Sequence, residues 1–319
     1  MNSLAVVMEE PERLSLRRLE LEAPTEDDIV VDVEWSGIST GTERLLWTGR
    51  MPTFPGMGYP LVPGYESVGR VASAGAKAGH EVGERVFVPG ARCYGDVRGL
   101  FGGASSRIVL PGTRAIPLDE SLGEQAVLLV LAATAYHAVS CGGKREHAQI
   151  VPPDLIVGHG VLGRLLARLN VAAGFTDFTV WETNPARAKG GEGYTVLDPA
   201  DDPRRDYHAI YDVSGDSGLL DQLVMRLASG GEIVLAGFYS EPLQFAFAPA
   251  FMREAQIRCA AEWHRNDLMA VTALAASGAF SLDGLITHRA QAEHAAGAYV
   301  TAFGDSACLK MVLDWRHTA

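Results

Sequence analysis

A chain of 319 residues, 47% of them hydrophobic, is globular rather than disordered and long enough for two domains. Its formal net charge of −12 argues against a nucleic-acid partner and against electrostatic docking on anionic membranes. The longest apolar run, Ala126 to Ala135, is too short to span a bilayer, which argues against an integral membrane segment.

In chain order, Ser3-Leu4-Ala5-Val6-Val7 reads as a strand without the basic region of a signal peptide, and the expectation is a cytoplasmic protein. Ile29 to Trp35 alternates as IVVDVEW, and Ser67 to Ala72 and Arg85 to Val88 are further strand candidates. Between Gly49 and Gly64 the composition, GRMPTFPGMGYPLVPG, supports a long irregular loop of the kind that is often functional. From Leu122 the texture changes to helices, then to alternating strands and helices. That alternation implies a parallel sheet covered by helices. Tyr207 to Val213 and Glu232 to Gly237 read as strands, with a helix expected around Leu219 to Leu227. A helix is expected from Glu293 to Phe303, and a last strand from Cys308 to Leu313 that returns to the first domain. Cys93, Cys141, Cys259 and Cys308 form no C-x-x-C pair and read as reduced, mostly buried thiols.

The stretch Asp154 to Glu182 carries the strongest signal. Leu155-Ile156-Val157 is a short buried-strand run that stops at Gly158-His159-Gly160-Val161-Leu162-Gly163, a G-x-G-x-x-G. Leu162, Leu165, Leu166, Leu169 and Ala173 then follow helical spacing, Gly174 closes the helix, and Phe178 to Trp181 reads as the next strand. In such a unit the first glycine permits the tight turn, the second lets a pyrophosphate approach the backbone, and the third lets the helix pack on the strand. Glu182, placed to accept hydrogen bonds from a ribose, favours NAD(H) over NADP(H); Arg187, close by in sequence, leaves NADP(H) open.

The order of these elements resembles the medium-chain dehydrogenase/reductase superfamily over essentially the whole chain. Gly37-Ile38-Ser39-Thr40-Gly41-Thr42-Glu43 resembles that family's G-I-C-G-T-D, and Pro63-Gly64-Tyr65-Glu66-Ser67-Val68-Gly69 its P-G-H-E-x-x-G. Ala133-Thr134-Ala135-Tyr136 is similar to the T-A-Y that opens the cofactor domain. The resemblance implies an α/β protein: a GroES-like β-rich catalytic domain, residues 1–121 and 285–319, and a Rossmann doubly wound parallel-sheet domain, residues 122–284. It also implies an active site in the cleft between them.

The departures carry the chemistry. Zinc members bind their catalytic metal through the cysteine of the first segment and the histidine of the second. Here those places hold Ser39 or Thr40, the spacing allowing either, and Tyr65. Hydroxyls replace thiolate and imidazole poorly as zinc ligands, and the third ligand would fall near Val130. Only Cys93 lies in the lobe that would carry a structural zinc, so the expectation is a zinc-free member.

Within the superfamily, GHGVLGRLLARL, the Gly49–Gly64 loop, LDGLITH (Leu282 to His288) and the terminal KMVLDW resemble the 3-hydroxyethyl bacteriochlorophyllide a dehydrogenase family. That family oxidises the alcohol on the C3 substituent of a chlorin-type macrocycle to acetyl, with NAD as hydride acceptor. A zinc-free enone or quinone reductase is the alternative, and a non-catalytic dinucleotide-binding protein a third.

Without zinc, alcohol oxidation needs a side chain as base or relay. The candidates are Tyr65 for direct contact with the substrate oxygen, Thr42 as relay, Glu66 as orienter or ultimate proton acceptor, and Ser39, Thr40 and His137. For Tyr65 a core aromatic is the competing reading, for Ser39 and Thr40 a backbone cap, and for His137 a plain helix residue. His159 should lie near the cofactor, as should Val161 and Leu162, whereas His264 and His288 suit surface or loop roles. A flat macrocycle needs an apolar slot with polar anchors. Met51, Phe54, Met57 and Tyr59 could form one wall, and Arg50, Arg92 or Arg98 could pair with a propionate, although each arginine alone also reads as solvated. A homodimer through the Rossmann sheet edge is the expected assembly.

Overall fold

A computed structural model describes residues 1–140 and 151–318. Cys141 lies outside the described residues. The chain divides into two compact units, Met1–Val130 with Asp283–Ala319, and Leu131–Leu282.

The first unit is β-rich. Its central strand, Asp28–Ile38, buries most of the alternating run seen in the sequence. Three antiparallel neighbours pair with it: Ser67–Ala74, Arg107–Pro111 and the C-terminal strand Lys310–Asp314. Arg85–Val88 extends the same sheet, so the early strand candidates and the returning last strand all form. The Gly49–Gly64 segment is irregular apart from Leu61–Val62, which meets the strand Asn2–Glu10. One apolar core, built from Val6, Ile29, Val31, Leu46, Tyr299 and Leu313 among others, underlies these strands.

The second unit is a parallel six-stranded sheet. Its order is Thr195–Leu197, Thr179–Trp181, Leu155–Val157, Tyr207–Asp212, Leu227–Leu235 and Gln256–Cys259. That is the 3-2-1-4-5-6 order of a doubly wound dinucleotide fold, and strand order reverses between Leu155–Val157 and Tyr207–Asp212. Ligands of such sheets bind outside the carboxyl ends of strands at that reversal, where Gly158 begins its turn. The helix Val161–Ala172 packs Leu165, Leu166 and Leu169 inward, and Gly174, at φ +85°, ends it.

Two elements differ from expectation. The helix expected over Leu219 to Leu227 spans only Leu220–Val224, and Leu227 instead opens a strand. Ala228-Ser229-Gly230-Gly231 cannot hold a helix cheaply, and Gly230 adopts φ +73°. The apolar run near Ala126 lies within a longer helical stretch, Glu120–Ser140. Among the described residues this stretch alone is long and apolar enough by composition to cross a membrane, yet most of it is buried inside the protein.

Candidate active site

The first unit gathers the hydroxyls. Ser39 follows the end of the central strand, Thr42 opens the short helix Thr42–Trp47, and Tyr65 precedes the strand Ser67–Ala74. Gly64, at φ +94°, sets the turn into Tyr65, and a Cβ there would stand 2.8 Å from the Ala104 nitrogen. The Tyr65 hydroxyl donates to Ser39 Oγ at 2.7 Å and lies 3.3 Å from Thr42 Oγ1. Phe101 meets its ring edge-on at 5.4 Å. Burial first, then the negative charge of Glu66, pushes the Tyr65 phenol well above its ordinary range, so it is neutral at physiological pH. A neutral phenol already hydrogen-bonded to a hydroxyl relays protons; it does not act as a standing base. The shorter contact makes Ser39, not Thr42, the first hydrogen-bond partner of that phenol. Thr40 is partly exposed and stands outside the cluster.

Behind the hydroxyls lie buried charges that reasoning from sequence mostly missed. Glu66 is fully buried, and Lys310 Nζ donates to both its oxygens, at 2.9 and 2.6 Å, and to the Ile38 carbonyl at 3.2 Å. Burial raises the Glu66 carboxyl while the Lys310 ammonium opposes it. Tied this way, Glu66 suits the orienting role better than that of ultimate proton acceptor. Glu43, also fully buried, accepts from the Ser39 amide at 3.1 Å and from the Tyr299 hydroxyl at 2.6 Å. Lys310 had left a signal, a lone lysine opening a strand whose next three residues, Met311-Val312-Leu313, are apolar.

A zinc ion of the kind the superfamily carries does not fit these donors. Ser39 and Tyr65 offer hydroxyls already bonded to each other, and the side chain of buried Val130 offers none. Among the described residues, the one His/Asp cluster with candidate ligand atoms within 4.8 Å of one another is His137, His264 and Asp267, in the second unit. There Asp267 Oδ2 already accepts from His137 Nδ1 at 2.8 Å and from the His264 amide at 2.7 Å. This shared oxygen ties the helix Leu129–Ser140 to the start of the helix Arg265–Ala276, so His137 is engaged structurally.

The dinucleotide fingerprint folds as its glycines require. Gly158 adopts φ +103°, and a Cβ on Gly163 would lie 1.8 Å from the Gly158 carbonyl oxygen. Gly160 starts the helix with no capping side chain, and nothing stands within 4 Å of where its Cβ would be. The first N–H groups, of Val161, Leu162 and Gly163, are therefore suited to a pyrophosphate. Glu182 accepts from the amides of His159, at 3.1 Å, and Asn184, at 2.8 Å, which fixes its carboxylate beside the glycine turn. His159 is fully buried, its ring held by the Arg187 carbonyl at 2.7 Å and the Tyr194 hydroxyl at 2.8 Å. Burial and neighbouring Arg164 lower its pKa to about 4, so it is a neutral structural pin. Arg164, unforeseen from sequence, braces the same loop through the carbonyls of His159, Arg187 and Lys189.

The proposed macrocycle wall is only partly a surface. Met51 is buried in the core of its unit, while Phe54, Met57 and Tyr59 pack against that core and stay partly exposed. The Tyr59 hydroxyl donates to the Leu46 carbonyl, and Arg98 to that of Tyr59 at 3.2 Å. Arg50 and Arg92 are exposed. His264 caps its helix, and His288 lies 3.5 Å from Asp305.

Residues 25–120 match the family model of the alcohol dehydrogenase GroES-like domain. The chain is 56% identical over 324 residues, 100% of both chains, to the 2-desacetyl-2-hydroxyethyl bacteriochlorophyllide A dehydrogenase of Cereibacter sphaeroides. It is 58% identical over 317 residues, 99% of each chain, to the protein of that name from Rhodobacter capsulatus. Among solved structures it resembles the 2R,3R-butanediol dehydrogenase from Bacillus subtilis, with TM-score 0.83 and 20% identity over 98% of this chain and 99% of that one. That likeness concerns the fold.

Proposed function

The chain belongs to the 2-desacetyl-2-hydroxyethyl bacteriochlorophyllide A dehydrogenase family of medium-chain oxidoreductases, and from that premise we propose the reaction it performs. It oxidises the C3 1-hydroxyethyl group of a (bacterio)chlorophyllide to acetyl in bacteriochlorophyll synthesis, with NAD and without catalytic zinc, in the cytoplasm. The full-length identity with the two named dehydrogenases carries this reading. The hydroxyl centre and the glycine fingerprint agree with it.

The Gly158–Gly163 turn would hold NAD, which when bound would supply the hydride acceptor for the carbinol carbon. The chain's own residues handle the proton. The substrate hydroxyl gives its proton to Tyr65 Oη as Tyr65 passes its own to Ser39 Oγ, and Ser39 returns one to water. Tyr65 and Ser39 end with the protons they began with, one proton has passed from the substrate to water, and with its hydride also gone the alcohol has become a ketone. Tyr65 contacts the substrate, Ser39 relays, and Thr42 supports Tyr65 from the longer distance. Phe54 and Met57, half-buried beside the same unit's core, suit the face of a flat apolar ring.

The test is direct: purified protein with NAD and a hydroxyethyl chlorin, followed by nicotinamide absorbance. Reduction of NAD is expected, undiminished by a zinc chelator. No reduction, combined with turnover of an enone by NADPH, would favour the reductase alternative, and chelator-sensitive turnover with stoichiometric zinc would overturn the metal-free reading.

Cofactor choice rests on Glu182. Its carboxylate is fixed beside the glycine turn by the amides of His159 and Asn184, which supports acceptance of a ribose 2′-hydroxyl and repulsion of a 2′-phosphate. Changing Glu182→Ala should raise KM for NAD and improve relative use of NADP, with kcat changing less. An unchanged NAD/NADP ratio would show that Glu182 does not face the ribose.

A homodimer completes the reading. The strand Gln256–Cys259 is an edge of the six-stranded sheet, and next to it Phe247, Phe251 and Met252 are 70%, 65% and 76% exposed. A sheet edge with no further strand beside it among the described residues, next to such an apolar patch, suits a second copy. Phe251→Glu should convert the dimer to monomer in sedimentation, and a wild-type monomer at micromolar concentration would refute the assembly.

A further inference from the structure

We propose that Glu43 is a positioning residue of the alcohol site, holding Ser39, and through Ser39 the Tyr65 hydroxyl, by its ionised carboxylate. The inference rests on the reading of Tyr65 and Ser39 as the proton relay. Glu43 is the second residue of the helix Thr42–Trp47, and its side chain turns inward. One oxygen accepts from the Ser39 amide, the other from the Tyr299 hydroxyl on the helix Ala295–Gly304. Ser39 Oγ in turn accepts from Tyr65. The relay's first acceptor is therefore anchored at its backbone by a carboxylate, and a hydrogen bond to an ionised group is roughly twice as strong as a neutral one.

The charges around Glu43 make that anchor titratable. Glu66, Lys310, Tyr65 and Tyr299 are the ionisable groups that face it. Lys310 gives two hydrogen bonds to Glu66 and one to the Ile38 carbonyl. An ammonium has three donors, so none is left for Glu43. Two carboxylates thus share one fully buried cation, and Glu43 is held by neutral donors alone. Burial lifts its carboxyl to about 7, with Glu66 pushing the same way and Tyr299, the Ser39 amide and Lys310 pushing back. Above that pH Glu43 is charged and the Ser39 anchor is strong; below it the anchor weakens. A packing residue would show no such dependence.

Three proteins test this: wild type, Glu43→Gln and Tyr299→Phe. In the wild type, kcat for the alcohol should rise through an inflection near pH 7. Glu43→Gln should flatten that inflection at a plateau roughly tenfold lower, the rate equivalent of one weakened hydrogen bond. Tyr299→Phe removes a donor that favours the ionised form, so its inflection should move to higher pH. An infrared titration without substrate gives an independent readout: a protonated carboxyl should disappear near pH 7 in wild type and be missing from Glu43→Gln. An inflection unchanged in Glu43→Gln, or unmoved in Tyr299→Phe, overturns the proposal, as does the lack of the infrared transition. If Glu43→Gln fails to fold, Tyr299→Phe decides by the direction of its shift. The expected infrared transition without any oxidation of the chlorin would overturn the alcohol-site reading, and this role with it, while leaving the buried ionisation standing.

Discussion

Tyr65→Phe lowers kcat by roughly 10²–10⁴-fold, the usual worth of a positioned acid/base group. The substitution keeps the ring and its edge contact with Phe101 and deletes one oxygen. That oxygen donates to Ser39 at 2.7 Å and, in the proposed relay, is the point of contact with the substrate hydroxyl. Its loss is felt as the alcohol proton departs, so kcat and kcat/KM fall together. KM for NAD should change little, because the proposed nucleotide site, the Gly158–Gly163 turn, belongs to the other unit. Ser39→Ala should reproduce much of the loss, whereas Thr42→Val, at the longer distance, should cost less. Single-turnover kinetics on folded protein separate these outcomes. Near-normal kcat in Tyr65→Phe would make Tyr65 a packing residue and leave the relay without its first member.

What could be read in the sequence was local. The fingerprint's glycines announce their own geometry, since only a residue without Cβ fits 1.8 Å from a carbonyl oxygen, as at Gly163. The alternation of Ile29 to Trp35 and the helical spacing from Leu162 likewise state their elements without help from distant residues. The hydroxyl substitutions at Ser39 and Tyr65 were legible because the motif around them is short and its spacing fixed. Hidden were pairings across long separations: Glu66 with Lys310, 244 positions apart, and Glu43 with Tyr299, 256 apart. No periodicity links such residues; the return of the last strand beside Asp28–Ile38 brings Lys310 in, and the helix Ala295–Gly304 brings Tyr299. Met51 misled for a related reason: an irregular loop gives no period by which to tell an inward side chain from an outward one. For His159 the place in the glycine turn was legible, but not the direction of its ring, which turns to Arg187 and Tyr194.

Lys310→Met should destabilise the β-rich unit by about 3–5 kcal/mol, the cost of leaving a buried charge without its partner. Lys310 is 1% exposed and Glu66 fully buried, so water cannot replace the lost ammonium. Nor can Glu66 move aside. Its carboxylate lies against Gly37, where an added Cβ would sit 2.2 Å from Oε2, and its backbone carbonyl is held by the Gly37 amide at 2.8 Å. Burial already raises the Glu66 carboxyl, and loss of the cation that opposes the rise lifts it further. For an acid whose folded-state pKa lies above its unfolded value, the penalty is full above the folded pKa and vanishes below the unfolded one. The deficit of Lys310→Met should therefore shrink as pH falls, which urea denaturation at neutral and mildly acid pH would measure. Adding Glu66→Gln should recover most of the loss at neutral pH, because two neutral side chains leave no charge in the core. A double variant as unstable as Lys310→Met, or a deficit that does not change with pH, would mean that Lys310 acts through packing and that the buried pair does not set the charge beneath the hydroxyl centre.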